Sequence, residues 1–122
     1  MGPSLARWTT PAGSTRHSAF ADGELIGFGY GHRCSSLAAL LDRPTGADFV
    51  LKELCVTPGH RGRGVGGALH DAVVGAPAPG PRWLITNARA TAAIGLYRRR
   101  GWQTVALHPE SAQRLIMRKS PR

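Results

Sequence analysis

Short runs in which apolar and polar residues alternate lie in the first third of the chain, and this period of two is typical of half-buried β-strands. Two of these runs, His17–Ala21 and Leu25–His32, are separated by Asp22-Gly23-Glu24. Asp-Gly between such runs favours a tight hairpin because both turn positions tolerate a positive φ. The pattern therefore predicts an antiparallel pair of strands. Residues 1–16 show no periodicity and are predicted to form a loose arm, with one short strand near Ala6–Thr9.

The middle of the chain changes from a strand pattern to a helix pattern. Phe49–Val56 is strongly apolar and predicts a buried strand. Val65–Val74 has apolar residues at helical spacing and predicts a helix. A short helix is also predicted over Ser35–Leu41, because Pro44-Thr45-Gly46 would end it.

The last third of the chain alternates between strand and helix patterns. Thr91–Arg100 has the pattern of a helix, with Thr91 as its N-cap and Gly101 as its C-terminal stop. Three strands are predicted around this helix, over Trp83–Thr86, Trp102–Leu107 and Arg114–Lys119. The order of the main elements is strand, strand, strand, helix, strand, helix, strand, strand, which indicates a mixed α/β sheet.

Length and composition are those of one ordinary globular domain. The chain has 122 residues, of which 42% are hydrophobic and 19% are charged. No apolar run approaches the roughly 20 residues that cross a bilayer. The first residues lack the apolar core of a signal peptide, so we expect a cytoplasmic protein without membrane contact. Cys34 and Cys55 are too few and too far apart for a disulfide framework or a zinc site, so we expect free thiols and no metal.

The formal net charge is +9, and Lys52 and Lys119 are the only lysines among the 16 basic residues. Such a charge attracts anions, whether nucleic acid or a polyphosphate cofactor. An equally good explanation is that the enrichment in arginine, alanine, glycine and proline reflects a GC-rich coding sequence. We do not expect nucleic acid as a partner, because the chain lacks interleaved aromatic residues and a recognition-helix signature.

The most informative stretch joins the central strand to the helix after it, and it is Pro58-Gly59-His60-Arg61-Gly62-Arg63-Gly64-Val65-Gly66-Gly67. Its alternating glycines remove side chains that would keep a ligand away from the backbone. The free amides of the first helical turn, with the positive end of the helix dipole behind them, suit a phosphate group. Two arginines add permanent positive charge. The turn therefore predicts a pyrophosphate site.

Two familiar phosphate loops fit this turn less well. Gly62-x-Gly64-x-x-Gly67 matches the dinucleotide fingerprint, but five residues separate it from the strand before it. The following strand also ends in Thr86-Asn87, without the carboxylate that binds the ribose. The triphosphate loop needs Lys and then Ser or Thr after its last glycine, whereas Ala68 follows Gly67.

A different pair of motifs matches a known family. Glu53-Leu54-Cys55-Val56-Thr57-Pro58, followed by Arg61-Gly62-Arg63-Gly64-Val65-Gly66, resembles the acyl-CoA-binding motif of the GNAT superfamily of N-acyltransferases. Ala93-Ile94-Gly95-Leu96-Tyr97-Arg98-Arg99-Arg100-Gly101-Trp102 resembles that family's second motif, a helix with Leu-Tyr that ends at Gly-aromatic. The resemblance covers roughly residues 17–119. It implies an α/β fold with a mixed, mostly antiparallel central sheet flanked by helices, in which the usual first strand and two helices are reduced or absent.

The resemblance also implies acetyl-CoA, or another acyl-CoA, as co-substrate. The pyrophosphate would bind the turn, at Arg61, Gly62, Arg63, Gly64, Val65, Gly66 and Gly67. Leu54, Cys55 and Val56 would pair through their main chain with the pantetheine arm, in the manner of an added strand. The family often has Asn seven residues before its tyrosine, where this chain has Ala90, and Asn87 is the nearby candidate.

Tyr97 and Glu53 are the candidate catalytic residues. In the family such a tyrosine lies near the CoA sulfur and protonates the departing thiolate, and a phenol is in its proton-donating form at neutral pH. The alternative is a tyrosine that only packs in the core. Glu53 shares a strand face with Cys55, and its carboxylate would take the proton of an ammonium acceptor. The alternative is that Glu53 pairs with one of the arginines.

These observations predict an N-terminal arm at residues 1–16 and a GNAT-like domain at residues 17–122. We expect transfer of an acyl group to a small-molecule or peptide amine by direct attack in a ternary complex. The alternative is a catalytically silent domain that binds CoA or pairs with another subunit. A short front end leaves strand edges uncovered, so we also expect a homodimer.

Overall fold

A computed structural model describes residues 4–9, 13–75 and 79–121 of the chain. Its strands are β1 (Ser4–Thr9), β2 (Ser14–Ala21), β3 (Glu24–Arg33), β4 (Phe49–Val56), β5 (Arg82–Asn87), β6 (Gln103–His108) and β7 (Ser111–Lys119). Its helices are α1 (Ser36–Leu40), α2 (Val65–Val74) and α3 (Thr91–Arg99), and a 3₁₀ turn spans Pro58–His60. The seven strands are mostly antiparallel, so the predicted mixed α/β fold class is confirmed. No helix of the described residues has the length and apolar character to cross a membrane.

The chain divides into two compact units, residues 1–33 with 51–77 and residues 34–50 with 78–122. In the first unit the strand order is β1-β2-β3-β4. The predicted hairpin is confirmed, because β2 and β3 pair antiparallel and their turn has φ of 51° at Asp22 and 79° at Gly23. Both residues are therefore in the left-handed region that Asp and Gly tolerate.

The N-terminal residues contribute more strand than their sequence pattern indicates. β1 starts at Ser4, two residues before the predicted strand, and it pairs antiparallel with β2 from Ser4 opposite Phe20 to Thr9 opposite Thr15. β2 also starts earlier than predicted, at Ser14. Part of the predicted loose arm is thus sheet, since backbone pairing needs no apolar periodicity. The proposed boundary between residues 16 and 17 stays a prediction.

Helix α2 covers one face of the first unit, and glycines of β3 let it lie close. A Cβ at Gly27 would lie 3.1 Å from Leu69 Cδ1, and a Cβ at Gly29 would lie 3.2 Å from Val73 Cγ2. The apolar cluster on this face consists of Ala19, Ile26, Val65 and Leu69, with Ala21, Leu54 and Val56 packed against it. The bounds predicted for α2 are confirmed.

The side chain of His70 on α2 is only 1% exposed. Its Nδ1 lies 2.8 Å from the Asp71 carboxylate. The prediction of β4 as a buried strand holds for Phe49, Val50 and Leu51. Cys55 is exposed, and neither Cys34 nor Cys55 forms a disulfide.

The second unit has strand order β5-β7-β6, with antiparallel pairing throughout. Its core cluster consists of Leu37, Ala38, Val50, Trp83 and Ile116. The predicted elements are confirmed with shifts of one to three residues at their ends. The predicted N-cap of α3 is wrong: Ala90 occupies that position, and the Thr91 hydroxyl instead donates to the Arg89 carbonyl at 3.3 Å.

Candidate functional site

The turn between β4 and α2 is held in shape by hydrogen bonds among nearby residues. The Thr57 amide donates to the Ile26 carbonyl at 2.8 Å, which fixes the point where β4 ends. The Thr57 hydroxyl lies 3.0 Å from His60 Nδ1, across the 3₁₀ turn. Arg61 Nε donates to the Val56 carbonyl at 3.2 Å. These supporting roles of Thr57 and His60 were not predicted. Their signal in the sequence is a hydroxyl residue placed before Pro58.

Two glycines give the turn its path. Gly62 has φ of 77° and Gly64 has φ of 81°, both in the left-handed region. A Cβ added at either position would meet no atom within 4 Å. Glycine is therefore needed there for its backbone conformation and not to avoid a clash in the protein.

The start of α2 leaves backbone donors without acceptors. Gly64 is the N-cap, no side chain caps the helix, and the Ala68 amide makes the bond to the Gly64 carbonyl at 3.0 Å. The amides before Ala68 thus have no intrahelical acceptor. They belong to Val65, Gly66 and Gly67. Together with the helix dipole, these N–H groups form an arrangement that suits an anion.

Arginine side chains flank the same turn. Arg61 and Arg63 are both exposed. Arg61 is anchored by its bond to the Val56 carbonyl. Arg63 makes no hydrogen bond or ion pair with any residue that the structure describes. Its charge is therefore available to an anion at the turn.

The end of β4 places different side chains on its two faces. A Cβ at Gly29 would lie 3.1 Å from Leu54 Cδ1, so Gly29 and Leu54 share the face that α2 covers. Tyr30 follows Gly29, and Glu53 precedes Leu54. Because successive side chains of a strand point to opposite faces, Tyr30 and Glu53 lie on the face away from α2. Both are exposed there. Glu53 is thus exposed on the face that carries Tyr30.

Tyr97 belongs to the second unit and lies within α3. Its side chain is only 8% exposed, and its ring centroid lies 5.9 Å from that of Trp102 at an angle of 59°. This tilted contact is typical of packed aromatic pairs. The packing role that sequence analysis left open is therefore present, and it leaves the catalytic role of the phenol a prediction.

Asn87 ends β5 in the second unit and shapes the start of α3. Its side-chain oxygen accepts a hydrogen bond from the Arg89 amide at 2.8 Å, and its carbonyl accepts one from the Ala90 amide at 3.0 Å. The side-chain oxygen is thus engaged in a local turn. The assignment of Asn87 to cofactor binding stays a prediction.

The first unit therefore brings together the predicted site residues from Glu53 to Gly67, on β4, the turn and the first turn of α2. Asn87 and Tyr97 lie on β5 and α3 of the second unit. Among residues 4–9, 13–75 and 79–121, no group of three or more His, Cys, Asp or Glu side chains is placed to hold a metal ion.

Comparison with protein families matches residues 14–104 to the acetyltransferase (GNAT) domain. This span is well over half of the chain and includes the turn and α3. A search of curated proteins finds no match.

Solved structures with the same fold include a protein from Klebsiella pneumoniae subsp. pneumoniae MGH 78578 that was assigned as an acyl-CoA N-acyltransferase. It has a TM-score of 0.75 and 18% identity, with 96% of each chain covered. Nourseothricin acetyltransferase has a TM-score of 0.71 and 26% identity, over 92% of this chain and 67% of that one. The PaiA N-acetyltransferase from Thermoplasma acidophilum, in complex with coenzyme A, has a TM-score of 0.64 and 16% identity, over 88% of this chain and 61% of that one.

Proposed function

Because the chain belongs to the GNAT family of acetyltransferases, we propose that it transfers an acetyl group, or another acyl group, from acyl-CoA to the nitrogen of an amine. The observation that carries this proposal is the turn between β4 and α2. Its left-handed glycines, uncapped helix amides and unpaired Arg63 form a site for the pyrophosphate of CoA. The coenzyme A complex of the PaiA N-acetyltransferase, which has the same fold, supports this choice of anion.

The pantetheine arm of the cofactor is assigned to the main chain of β4. Its amide groups would pair with Leu54, Cys55 and Val56 as an added strand does. The exposed end of β4 is compatible with this, since Cys55 is exposed and Leu54 and Val56 are half-buried. This contact would align the thioester along the strand.

Transfer by direct attack needs two protons to leave the acceptor nitrogen and one proton to reach the sulfur. The acceptor arrives as an ammonium ion, and Glu53, exposed on β4, would take a proton to free the nitrogen lone pair. The nitrogen then forms a bond to the thioester carbonyl carbon, and the bond from that carbon to sulfur breaks. Tyr97 would donate its phenol proton to the departing thiolate. The second proton of the attacking nitrogen would pass to the Tyr97 phenolate, and Glu53 would release its proton to solvent. The products are then an amide, free CoA and one proton, so atoms and charge balance.

The acceptor that we propose is a small-molecule or peptide amine. A net charge of +9 disfavours a polycation through long-range repulsion. We also propose a cytoplasmic homodimer. Leu5 and Leu25 of the first unit are 43% and 51% exposed, and a second copy would cover such apolar surface. Light scattering that shows a monomer at all working concentrations would contradict the dimer.

A silent CoA-binding domain is the second candidate, and the burial of Tyr97 favours it. A buried phenol packed on Trp102 is typical of a core residue, so Tyr97 need not act as a proton donor. In this case CoA raises the melting temperature because it binds the folded state alone. Free CoA is not released above the hydrolysis rate with any amine of a panel.

The test of the proposed function compares two glycine variants with the same local geometry. Gly62 and Gly23 have φ of 77° and 79°, and a Cβ at either meets no atom within 4 Å. Ala should cost each about 1 kcal/mol of stability because of its positive φ. We expect calorimetry to show weaker acetyl-CoA binding for Gly62→Ala and unchanged binding for Gly23→Ala. Equal affinities in the two variants, or no binding by the wild type, would refute the site.

A further inference from the structure

A concave pocket lies within the second unit, among residues that have no assigned role in binding acyl-CoA. Its volume is about 300 Å³, at the lower end of the range for small-molecule sites. The walls come from the loop before β4, from β5 and from β7. Residues that matter for its chemistry are Arg43, Thr45, Gly46, Asp48, Trp83 and Arg118.

The base of this pocket is a hydrogen-bonded cluster around Asp48. One carboxylate oxygen accepts from Trp83 Nε1 at 3.0 Å. The other accepts from the Ser35 hydroxyl and from the Gly46 amide, both at 2.9 Å. Asp48 and Trp83 are each 1% exposed. The loop before β4 is thus fastened to β5, and the acceptor oxygens of Asp48 are already occupied.

Two guanidinium groups in the walls have no anionic partner. Arg118 lies opposite Trp83 in the pairing of β5 with β7, and its guanidinium carbon is 5.7 Å from the indole centroid. The guanidinium groups of Arg118 and Arg43 make no hydrogen bond or ion pair with any described residue. Stacking on Trp83 restricts Arg118, so less conformational entropy is lost when its N–H groups bind a ligand.

The charge of the pocket selects among anions. Burial alone would raise the pKa of Asp48, but the hydrogen bonds from Trp83, Gly46 and Ser35 outweigh it and lower that pKa. Asp48 therefore stays ionised at neutral pH. Two arginines and one carboxylate leave a single positive charge, which one negative charge neutralises.

We propose that this pocket binds a small monocarboxylate with a planar apolar body, whose carboxylate lies between Arg43 and Arg118. Guanidinium groups match carboxylates through paired hydrogen bonds. The apolar body packs against Pro44 and Pro81, which also line the pocket. The carboxylate does not need Asp48, whose oxygens face their own donors.

Calorimetry with the full chain tests the proposal through a matched pair of ligands, benzoate and benzamide. The two have nearly the same shape, and only benzoate is charged. We expect measurable binding of benzoate and at least about tenfold weaker binding of benzamide, because the amide loses the charge-assisted hydrogen bonds. Inorganic phosphate has no apolar body to pack against Pro44 and Pro81, so it should bind more weakly than benzoate. Equal binding of benzoate and benzamide, or tighter binding of phosphate, would overturn the assignment.

Three variants separate this pocket from general anion binding. Arg43→Gln and Arg118→Gln should each weaken benzoate binding about fivefold to tenfold. Gly46→Leu should abolish binding by filling the pocket, because a Cβ at Gly46 meets no atom within 4 Å and the amide that donates to Asp48 is kept. Arg114→Gln, at an exposed arginine of β7, is the control and should leave binding unchanged.

The melting temperature of each variant shows whether it is folded. If Arg118→Gln does not fold, Arg43→Gln still tests the proposal, because Arg43 lies in a loop. The proposal is wrong if benzoate binds all these variants as it binds the wild type. It is also wrong if Arg114→Gln weakens binding as much as the pocket variants do. Saturating acetyl-CoA should leave benzoate affinity unchanged, which separates a failure here from a failure of the acyl-CoA site.

Discussion

Asp48→Asn is the substitution whose effect on stability can be worked out most directly from the structure. The Asp48 side chain is 1% exposed and accepts hydrogen bonds from three donors. Asn has nearly the same shape, so it creates no cavity. It replaces one acceptor oxygen with an NH₂ group, which cannot accept. The substitution therefore removes acceptor capacity and one negative charge, and it keeps the shape of the side chain.

The expected cost follows from the geometry of the donors. If the NH₂ group faces Ser35 and Gly46, the Ser35 hydroxyl can rotate to accept, but the Gly46 amide loses its acceptor. If it faces Trp83, the indole N–H loses its acceptor. Either orientation leaves one donor unsatisfied, which costs about 1–3 kcal/mol. We expect the free energy of unfolding of Asp48→Asn to fall by about 2 kcal/mol at neutral pH.

Urea unfolding of wild type and variant at several pH values is the assay. The folded-state pKa of Asp48 is below its ordinary value of 3.8, because hydrogen bonds outweigh the opposing effect of burial. Its contribution is therefore complete above pH 3.8 and is lost as the pH falls through the lower folded-state pKa. Asp42→Asn is the control, because Asp42 is exposed and its φ of 53° suits Asn equally well. If the free energy of unfolding of Asp48→Asn lies within about 0.5 kcal/mol of the wild-type value, this account is wrong. That margin is roughly the error of such measurements.

Three further predictions concern pH, catalysis and cofactor affinity. His17 has a lowered pKa because of burial and the nearby charge of Arg7, and no described residue hydrogen-bonds its Nδ1. The contribution of neutral His17 to the free energy of unfolding should be complete above the ordinary pKa of 6.5 and fall as the pH drops below it. A urea series in which His17→Leu shows the same fall would contradict this. Tyr97→Phe keeps the contact with Trp102 and should lower kcat about a hundredfold without changing KM for acetyl-CoA; an unchanged kcat would show that the phenol only packs. Arg63→Gln should raise KM for acetyl-CoA about threefold to tenfold at low salt and less at high salt, with an unchanged melting temperature; a KM that does not respond to salt would contradict a direct phosphate contact.

The elements with a strong local signal could be predicted from the sequence. The switch of periodicity from Phe49–Val56 to Val65–Val74 gave the bounds of β4 and α2 without error. Asp22-Gly23 gave the hairpin because its left-handed conformation is a property of those two residues. The glycine turn could be found for the same reason, since Gly62 and Gly64 carry its conformation.

Features that depend on distant residues could not be predicted in this way. β1 pairs with β2 from Ser4 opposite Phe20 to Thr9 opposite Thr15, which no local pattern reveals. His70 is buried and Cys55 exposed, against the usual preference of both residue types, since packing around α2 and β4 decides their environment. The Asp48 cluster joins residues up to 35 positions apart along the chain. Such contacts are tertiary, and sequence patterns report mainly secondary structure.

The net charge of +9 does not show which arginines have side chains available to an anion. Three arginines lie over aromatic rings at 5.3–5.7 Å: Arg16 on Phe28, Arg82 on Phe49 and Arg118 on Trp83. Arg82 is buried, burial lowers its pKa, and its guanidinium donates to the Gly80 carbonyl at 2.7 Å. The side chains of Arg63 and Arg43, in contrast, make no hydrogen bond or ion pair with any described residue. Arg63 lies beside the first amides of α2, and Arg43 lines the pocket. The number of arginines thus remains compatible with a GC-rich coding sequence. We infer anion binding instead from the positions of the Arg63 and Arg43 guanidinium groups.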